Sequence, residues 1–205
     1  MESDKSFFNL IPYWKKGCRY LLKNDPVFKK YYNPDHFLKL NHNKFDILFK
    51  SICSQQISVS AAMSIYKKTK KIMGNVNYKN FKDKADMIDD LPITLNKKKC
   101  ILSLIENYQM VKTIKKDITF LNSPPYELTK IFGIGPWTVE MFGIFHLGIS
   151  NILPKGDLGL INAYKKNYQD ENLLNFDFNS KIWGNYSTIV TWYLWSSYDD
   201  EPLYL

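Results

Sequence analysis

Residues 131–138 read IFGIGPWT, and a second stretch, LPKGDLGL, follows at residues 153–160. The apolar spacing around the first stretch predicts one helix at 125–132 and another from 136 to about 147. The glycines between these helices permit a tight turn, and a proline suits the first helical position because its missing N–H costs nothing there. The sequence therefore predicts a helical hairpin.

Apolar residues recur at helical spacing along most of the chain, and long alternating runs of β-branched residues are scarce. Ser58 is placed to cap a helix that Gly74 ends, and Gly148 is placed to end the second hairpin helix. The polar segment 167–179 is predicted to be a loop. The whole pattern predicts an all-α protein of about ten helices. Those expected outside the hairpin lie at about 13–24, 28–32, 45–55, 58–73, 81–89, 97–111 and 186–197, with one more after Asp157.

The chain order suggests how these helices are organised. A length of 205 residues suits one unit, residues 1–205, that can divide into two small lobes. The middle helices, about 40–150, would form one lobe, and segments 1–39 and 151–205 would form the other. A cleft between two such lobes is a natural place for a ligand.

The charge of the chain points to an anionic partner. The formal net charge is +8, and the sequence pI is near 9.2. Arg19 is the sole arginine, so nearly all the positive charge comes from lysine. Lysine suits sequence-independent contact with phosphates, whereas bidentate reading of bases depends mostly on arginine. The composition favours a nucleic acid as partner, and a solvated basic surface is the alternative.

The cysteines and histidines indicate neither a disulfide framework nor a metal site. The chain has three cysteines, odd in number and without a CxxC pair, and its three histidines are scattered. A structural zinc site and an iron–sulfur cluster are therefore not expected. No stretch approaches the length of a membrane span, and the start is unlike a signal peptide. We expect an intracellular protein that contacts no membrane.

Two features of the quoted stretches each allow two interpretations. Free N–H groups of the GIG turn and of the helix after it could bind a phosphate, aided by the helix dipole. The alternative is a plain turn between helices, which needs glycine for the same reason. Asp157 could be a catalytic acid or the N-cap of the helix that follows it, and the two roles are compatible.

Three segments together carry a family resemblance. They are residues 131–160, ILFKSICSQQISVSAAMSIY at 47–66, and IWGNYSTIVTWYLW at 182–195. In this order they resemble the helix-hairpin-helix superfamily of DNA glycosylases, most closely its 3-methyladenine DNA glycosylase II branch. The resemblance implies an all-α, two-lobe fold with the active site in the interlobe cleft. It also implies an enzyme that flips a damaged nucleotide into that cleft.

The resemblance assigns roles to individual residues of this sequence. It implies that Asp157 is the catalytic acid. The positions implied for the base pocket are Trp137, Trp195, Met141 and Leu158. The positions implied for DNA binding are Gly133, Gly135, Pro136, Thr138, Gln55, Gln56, Ser58 and Lys155. Gln56 would fill the gap that the flipped base leaves. A monovalent cation at the carbonyls of Phe132 and Ile134 would assist the turn, with no other cofactor and no structural metal.

The expected chemistry needs one acid. Cleavage of an N-glycosidic bond builds positive charge on the sugar, which a carboxylate stabilises while it orients or deprotonates the attacking water. An N3- or N7-alkylated purine is already cationic, so it leaves without a general acid. Trp137 stands where bifunctional relatives carry a nucleophilic lysine. We therefore expect a monofunctional enzyme without AP-lyase activity.

The sequence also departs from the family pattern. Gly156 stands where the family usually has a second acid, and Asn185-Tyr186-Ser187-Thr188 replaces Pro-Tyr-Arg-Ser. The N-terminal β-rich domain of some bacterial relatives is not expected. Two other functions stay open: a non-catalytic helix-hairpin-helix DNA-binding module, and a glycosylase for deaminated or oxidised bases. The expected partner is double-stranded DNA with damaged bases, bound by a monomer in the cytoplasm of a prokaryote or the nucleus of a eukaryote.

Overall fold

The computed structural model describes residues 11–115 and 123–198. Every regular element in these two ranges is helical, which confirms the all-α prediction for them. The α-helices are α1 Trp14–Asn24, α2 Phe28–Tyr31, α3 Lys44–Ser54, α4 Val59–Met73, α5 Tyr78–Asp83, α6 Leu95–Glu106, α7 Tyr108–Thr113, α8 Pro136–Phe142, α9 Leu158–Tyr168, α10 Phe176–Trp183 and α11 Ser187–Tyr198. None of the helices in the described ranges is long and apolar enough to cross a bilayer.

The helices pack in two groups around a continuous core. Helix α3 packs on α4, α6 and α8, while α11 packs on α1, α2, α9 and α10. In the first group Phe45 and Phe49 of α3 contact Phe81 of α5, with ring centroids 4.9 and 5.1 Å apart. In the second group Trp192 of α11 meets Trp14 edge to face at 5.7 Å. Buried residues of both groups belong to one hydrophobic cluster, so the two groups share a core.

Capping residues lie at the ends of several helices, as predicted. The Ser58 hydroxyl accepts a hydrogen bond from the backbone N–H of Ala61 at 3.3 Å and so caps α4. Gly74 ends that helix with a positive φ of 79°. Gly148 ends the segment after α8 in the left-handed conformation, with φ of 72°. These local predictions are confirmed because capping depends on only a few neighbouring residues.

The hairpin differs from its prediction in both arms. The expected helix at 125–132 is a 3₁₀ turn, Tyr126–Lys130, in which Leu128 N bonds to the Pro125 carbonyl at 3.0 Å. Prolines at 124 and 125 supply no N–H, and the glycine turn follows too soon for a longer helix. The second arm ends as an α-helix at Phe142 and continues as a π-helical turn, Gly143–Leu147. A Cβ on Gly143 would lie 2.5 Å from Ile152 Cδ1, so this turn packs tightly.

Three further boundaries were predicted incorrectly. The expected helix at 97–111 is divided into α6 and α7 at Asn107, and that at 81–89 is split between α5 and a 3₁₀ turn, Ala85–Asp90. The expected loop at 167–179 contains the start of α10. There the Asp170 carboxylate accepts from the N–H groups of residues 174 and 175 at 2.9 and 2.7 Å, which organises the approach to α10.

Candidate active site

Asp157 lies at the N-terminus of α9 and accepts three hydrogen bonds. Its Oδ1 accepts from the backbone N–H of Leu160 at 2.6 Å and from Trp195 Nε1 at 3.0 Å. Its Oδ2 accepts from Trp137 Nε1 at 2.8 Å. The capping interaction predicted as an alternative is therefore present. Donors on both oxygens fix the orientation of the carboxylate, which remains partly exposed.

The two indoles come from different helices that converge on α9. Trp137 is the second residue of α8, and Trp195 lies near the end of α11, which packs along α9. The Trp195 ring stacks on Phe145 with centroids 5.9 Å apart and planes inclined by 18°. The structure therefore brings Trp137 and Trp195 together with Asp157, and both indoles donate hydrogen bonds to its carboxylate. Their predicted contact with a flipped base stays a prediction.

Gly159 brings the carboxylate and Trp195 close to the start of α9. A Cβ at Gly159 would lie 3.2 Å from Asp157 Oδ1 and 3.7 Å from the Trp195 ring. At Gly156 an added Cβ would have no neighbour within 4 Å. The glycine after Asp157 is thus part of the packing around the carboxylate, whereas the glycine before it borders open space. The role of Gly159 was not predicted from the sequence, although Gly159 belongs to the quoted stretch GDLG.

Glu140 is an acidic residue of this region that was not predicted from the sequence either. It lies three residues after Trp137 on α8 and is half-buried. Burial raises the pKa of Glu140 to about 7, the negative charge of Asp157 adds to the increase, and hydrogen bonding by the Tyr126 hydroxyl partly offsets it. The spacing from Trp137 is the signal that could have identified it, because residues three apart share a helix face.

The two glycines of the GIG turn have different surroundings. Gly133 has a positive φ of 81°, and a Cβ there would lie 1.8 Å from Cys100 Sγ on α6. Gly135 is extended, with φ of −93°, and an added Cβ would have no neighbour within 4 Å. Gly133 is thus required by the fold itself. Gly135, followed by the exposed Pro136 at the start of α8, is the open part of the turn, and its predicted contact with a phosphate stays a prediction.

Gln55 connects the hairpin to the loop after α3. Its Nε2 donates to the Gly133 carbonyl and to Thr138 Oγ1, each at 3.1 Å. Thr138 is 1% exposed. The structure therefore uses the side chains of Gln55 and Thr138 for contacts within the protein, although both were predicted to bind DNA. Their effect on DNA would come through the position of the loop and of the turn.

Gln56 occupies the exposed tip of that loop. Its φ is +59°, which is uncommon for a residue other than glycine and indicates local strain held by the surroundings. Lys97 provides part of that support, because its Nζ donates to the carbonyls of Cys53 and Gln55 at 2.6 and 2.9 Å. No sequence signal pointed to Lys97, which lies on α6, distant in the chain from this loop. Insertion of Gln56 into DNA stays a prediction.

The remaining predicted site residues lie at varied depths. Met141 is 1% exposed and belongs to the hydrophobic core, whereas Leu158 is 74% exposed beside Asp157. Lys155 pairs with Asp177 at 2.8 Å on the surface. Ser58 caps α4 and also contacts Ser60 Oγ at 3.1 Å. Leu158 and Lys155 are therefore the members of this set that face outward near Asp157.

The turn offers backbone oxygen for the predicted monovalent cation. The carbonyls of Ile131 and Gly133 accept hydrogen bonds from Ile134 N and Gln55 Nε2. A cation at the turn would therefore depend on the carbonyls of Phe132 and Ile134, which stays a prediction. Within residues 11–115 and 123–198, no group of three or more His, Cys, Asp or Glu side chains is arranged to hold a metal ion.

The sequence is similar to yeast proteins over most of its length. It is 26% identical over 176 residues to DNA-3-methyladenine glycosylase 1 of Schizosaccharomyces pombe, covering 81% of this chain and 77% of that protein. It is 28% identical over 211 residues to DNA-3-methyladenine glycosylase of Saccharomyces cerevisiae, covering 90% and 71%. No protein-family profile matches the sequence.

Solved structures share the fold. The DNA-3-methyladenine glycosidase of Bacillus halodurans superimposes with a TM-score of 0.66 at 25% identity, over 88% of each chain. The S. pombe 3-methyladenine DNA glycosylase Mag1, solved in complex with abasic DNA, gives 0.69 at 22% identity, over 89% of this chain and 96% of that one. The chain is therefore similar in sequence to yeast 3-methyladenine DNA glycosylases and shares the fold of two solved proteins of that kind.

Proposed function

We propose that the protein is a monofunctional DNA glycosylase of base-excision repair. It flips alkylated purines of the 3-methyladenine and 7-methylguanine class out of double-stranded DNA and hydrolyses the N-glycosidic bond, leaving an abasic site. The observation that carries this proposal is the Asp157 carboxylate, held by two indole N–H groups and one backbone N–H at a partly exposed position. The names of the relatives support the same reaction class.

Asp157 suits the charge that develops in this reaction. Positive charge grows on the sugar as the bond to the base breaks, and a fixed carboxylate beside it stabilises that charge without reorganising. The same carboxylate can accept a proton from the attacking water. Because an alkylated purine is already cationic, no acid has to protonate it. Leu158, exposed beside Asp157, is the side chain that we expect to contact the flipped nucleotide.

The side chain at position 137 supports hydrolysis without strand cleavage. A lyase needs an amine that attacks C1′ and forms a Schiff base. Trp137 supplies no amine, and its indole N–H donates to Asp157 at 2.8 Å. Lys155, which is near in sequence, pairs with Asp177 on the surface. The nucleophile in the proposed reaction is therefore water.

The hairpin would hold the DNA backbone beside this site. The open space at Gly135 and the exposed Pro136 allow a phosphate to approach the N-terminus of α8. The net charge is +8, and nearly all the positive charge comes from lysine, which supports contact with DNA phosphates whatever the base sequence. We propose that the protein binds DNA as a monomer, acts inside the cell and needs no protein partner for the chemistry.

The test of the catalytic role is a base-release assay on methylated duplex DNA. We expect the wild type to release 3-methyladenine or 7-methylguanine, and Asp157→Asn to be slower by at least about 100-fold, a common effect of losing a general base. Asp83→Asn, an exposed aspartate at the end of α5, is the matched control and should act like the wild type. Tight binding of damaged DNA without release of any base would favour a non-catalytic binding module.

A second experiment tests the hairpin. Gly135→Asp places a negative charge where the phosphate is proposed to bind, at a position where an added Cβ has no neighbour within 4 Å. It should weaken binding to damaged and undamaged DNA alike, while Gly135→Ala should bind nearly as the wild type does. A change in lesion preference without a change in overall affinity would contradict the phosphate contact.

A third experiment tests the absence of lyase activity. Borohydride reduces a Schiff base to a stable adduct, so a lyase would be trapped covalently on its DNA. We expect no adduct with the wild type under conditions in which bases are released. A trapped adduct that disappears in a Lys155→Met variant would show that the enzyme is bifunctional after all.

A further inference from the structure

The loop after α3 reverses the chain through a β-turn at residues 54–57. The backbone N–H of Ile57 donates to the Ser54 carbonyl at 3.3 Å and closes the turn. Gln55 has φ of −52° and ψ of 125°, and Gln56 has φ of +59°. These values match a type II turn, whose third residue needs a positive φ and is usually glycine or asparagine. Here that residue is glutamine, so contacts from outside the turn have to stabilise it.

Lys97 contacts the peptide group that distinguishes the two common types of turn. Its Nζ donates to the Gln55 carbonyl at 2.9 Å and to the Cys53 carbonyl at 2.6 Å. In a type I turn the ψ of Gln55 would be about −30°, so the peptide between Gln55 and Gln56 would be turned over. The Gln55 carbonyl would then point away from Lys97. The Lys97 ammonium therefore stabilises the type II orientation.

The alternative turn would suit glutamine better in the absence of Lys97. The third residue of a type I turn has φ of about −90°, which lies in the negative range that residues other than glycine favour. The residue type at position 56 and the observed conformation therefore favour opposite turns. No ion pair in the part of the chain that the structure describes involves Lys97, so its ammonium serves the two carbonyls.

The face of α6 that carries Lys97 also supports the hairpin. Cys100 follows Lys97 by three residues, so the two side chains share one face of the helix. A Cβ at Gly133 would lie 1.8 Å from Cys100 Sγ, which shows that this face packs against the GIG turn. Gln55 Nε2 donates to the Gly133 carbonyl at 3.1 Å. The loop and the hairpin are thus held against the same helix and against each other.

The two central side chains of the turn have different surroundings. Gln55 makes contacts within the protein, since its Nε2 also lies 3.1 Å from Thr138 Oγ1. Gln56 is exposed at the tip of the loop. A change of its φ from positive to negative would redirect its side chain, because side-chain direction follows the backbone conformation. The contact between Lys97 and the neighbouring carbonyl therefore determines where the exposed Gln56 side chain points.

We propose that Lys97 is a positioning residue of the glycosylase, which holds the turn at 54–57 in its type II form and so directs Gln56 into the duplex. This inference rests on the proposed function and on the predicted insertion of Gln56 into the gap that a flipped base leaves. Extrusion of a base costs stacking and pairing energy, which a side chain in the gap offsets in part. A side chain that is already oriented loses less freedom on insertion. Lys97 acts through the backbone of the loop, and not on the sugar.

The first test measures single-turnover base release from a duplex with one 7-methylguanine opposite cytosine. Lys97→Met should be slower by about tenfold, because the turn loses the contact that orients Gln56. Lys99→Met removes the same charge from an exposed position of the same helix and should act like the wild type. Urea unfolding gives the folded fraction, to which each rate is corrected. A wild-type rate in Lys97→Met, or an equal loss in Lys99→Met, would overturn the inference.

A double-mutant cycle with Gln56 separates positioning from general support of the fold. Gln56→Ala should slow base release by about as much as Lys97→Met does, and the double variant should be no slower than either single variant. This result is expected because both changes remove the same inserted side chain from its place. Additive losses would show that Lys97 acts independently of Gln56, which would contradict the positioning role.

The base opposite the lesion provides a further readout. With the 7-methylguanine opposite an abasic-site analogue, extrusion costs less and the gap-filling side chain matters less. Lys97→Met should then release the base within about twofold of the wild-type rate. A loss on this duplex as large as on the paired one would show that Lys97 supports the site in general, and the inference would be wrong.

The outcomes separate this inference from the proposed function. If the wild type is active and Lys97→Met is equally active on the paired duplex, Lys97 has no positioning role and the glycosylase function stands. If the wild type releases no base from any alkylated duplex, the proposed function fails, and the role of Lys97 in that reaction fails with it.

A crystal structure of Lys97→Met tests the turn without catalysis. We expect Gln56 at a negative φ, with the peptide between Gln55 and Gln56 turned over relative to the wild type. A positive φ retained at Gln56 would show that Lys97 does not select the type of turn, and it would overturn the inference.

Discussion

Asp25 and Asp157 occupy similar local environments in distant parts of the molecule. Asp25 precedes α2 and accepts from the backbone N–H groups of Val27 and Phe28 at 3.0 and 3.2 Å. It also accepts from an indole, that of Trp183, at 2.9 Å. Asp157 precedes α9 and likewise combines a backbone donor with indole donors. Both carboxylates therefore stabilise the start of a helix and a nearby tryptophan.

The two sites differ in what covers them. Asp25 is 4% exposed and also accepts from the Tyr168 hydroxyl, which in turn contacts Tyr31 at 2.8 Å. Asp157 is partly exposed, with open space at Gly156 and the exposed Leu158 beside it. Backbone and indole donors thus stabilise the fold where the carboxylate is enclosed, and they leave an accessible carboxylate where it is open. A capping role and a catalytic role are compatible at one residue.

The largest effect that separates the two sites concerns stability. Asp25→Asn should destabilise the protein by about 3 kcal/mol, because buried donors lose a charged acceptor. Asp157→Asn should change stability by less than about 1 kcal/mol, since asparagine is an equally good N-cap. Urea unfolding followed by circular dichroism measures both. Equal losses in the two variants would remove the distinction between an enclosed and an open carboxylate.

The indoles provide the next test. Trp137→Phe and Trp195→Phe each remove one donor to Asp157, and each should slow base release by about tenfold as the carboxylate loses its fixed orientation. Trp183→Phe removes the corresponding donor to Asp25 and should lower the unfolding midpoint, with an unchanged rate for the folded fraction. Single-turnover kinetics at matched folded concentration give the comparison. A loss of rate in Trp183→Phe as large as in the other two variants would contradict the different roles of Asp25 and Asp157.

A smaller effect is expected at the glycines that flank Asp157. Gly159→Ala places a Cβ 3.2 Å from Asp157 Oδ1 and should slow base release by about threefold, roughly 0.7 kcal/mol in barrier height. Gly156→Ala places a Cβ in open space and should leave the rate unchanged. Thermal unfolding checks that both variants fold. An equal rate in Gly159→Ala and the wild type would show that the carboxylate tolerates this contact.

The smallest effect is the pH dependence of stability at Glu140. Its pKa in the folded protein is raised from 4.5 to about 7, so its contribution to stability is complete below 4.5 and is lost as the pH rises through 7. Glu140→Gln avoids that loss. The difference in melting temperature between this variant and the wild type should therefore shift in favour of the variant by about 2 °C from pH 5 to pH 8. A constant difference across this range would show that Glu140 titrates elsewhere.

The sequence predicted the elements that depend on nearby residues. The α-helical class, the cap at Ser58, the helix ends at Gly74 and Gly148, and the N-cap at Asp157 all follow from a few neighbours. The π-helical turn and the 3₁₀ arm of the hairpin were missed. They depend on packing with Ile152 and on two prolines that leave too few residues for a helix.

The site was predicted in part. The resemblance placed Asp157, Trp137 and Trp195 in one region, and the structure joins them by hydrogen bonds that no spacing could specify. The distinct surroundings of Gly133 and Gly135 depend on Cys100, a contact between segments distant in sequence. Lys97 went unnoticed for the same reason, whereas Glu140 and Gly159 had a signal in their spacing from Trp137 and Asp157. Tertiary contacts decide which polar groups face inward, and a single sequence does not record them.

The most direct test of the central claim compares single-turnover base release by Asp25→Asn and Asp157→Asn on the same alkylated duplex, with rates corrected for the folded fraction. We predict that Asp25→Asn retains the wild-type rate within about threefold, whereas Asp157→Asn loses at least about 100-fold. Comparable rates for the two variants would contradict the assignment of Asp157 as the residue that acts on the sugar.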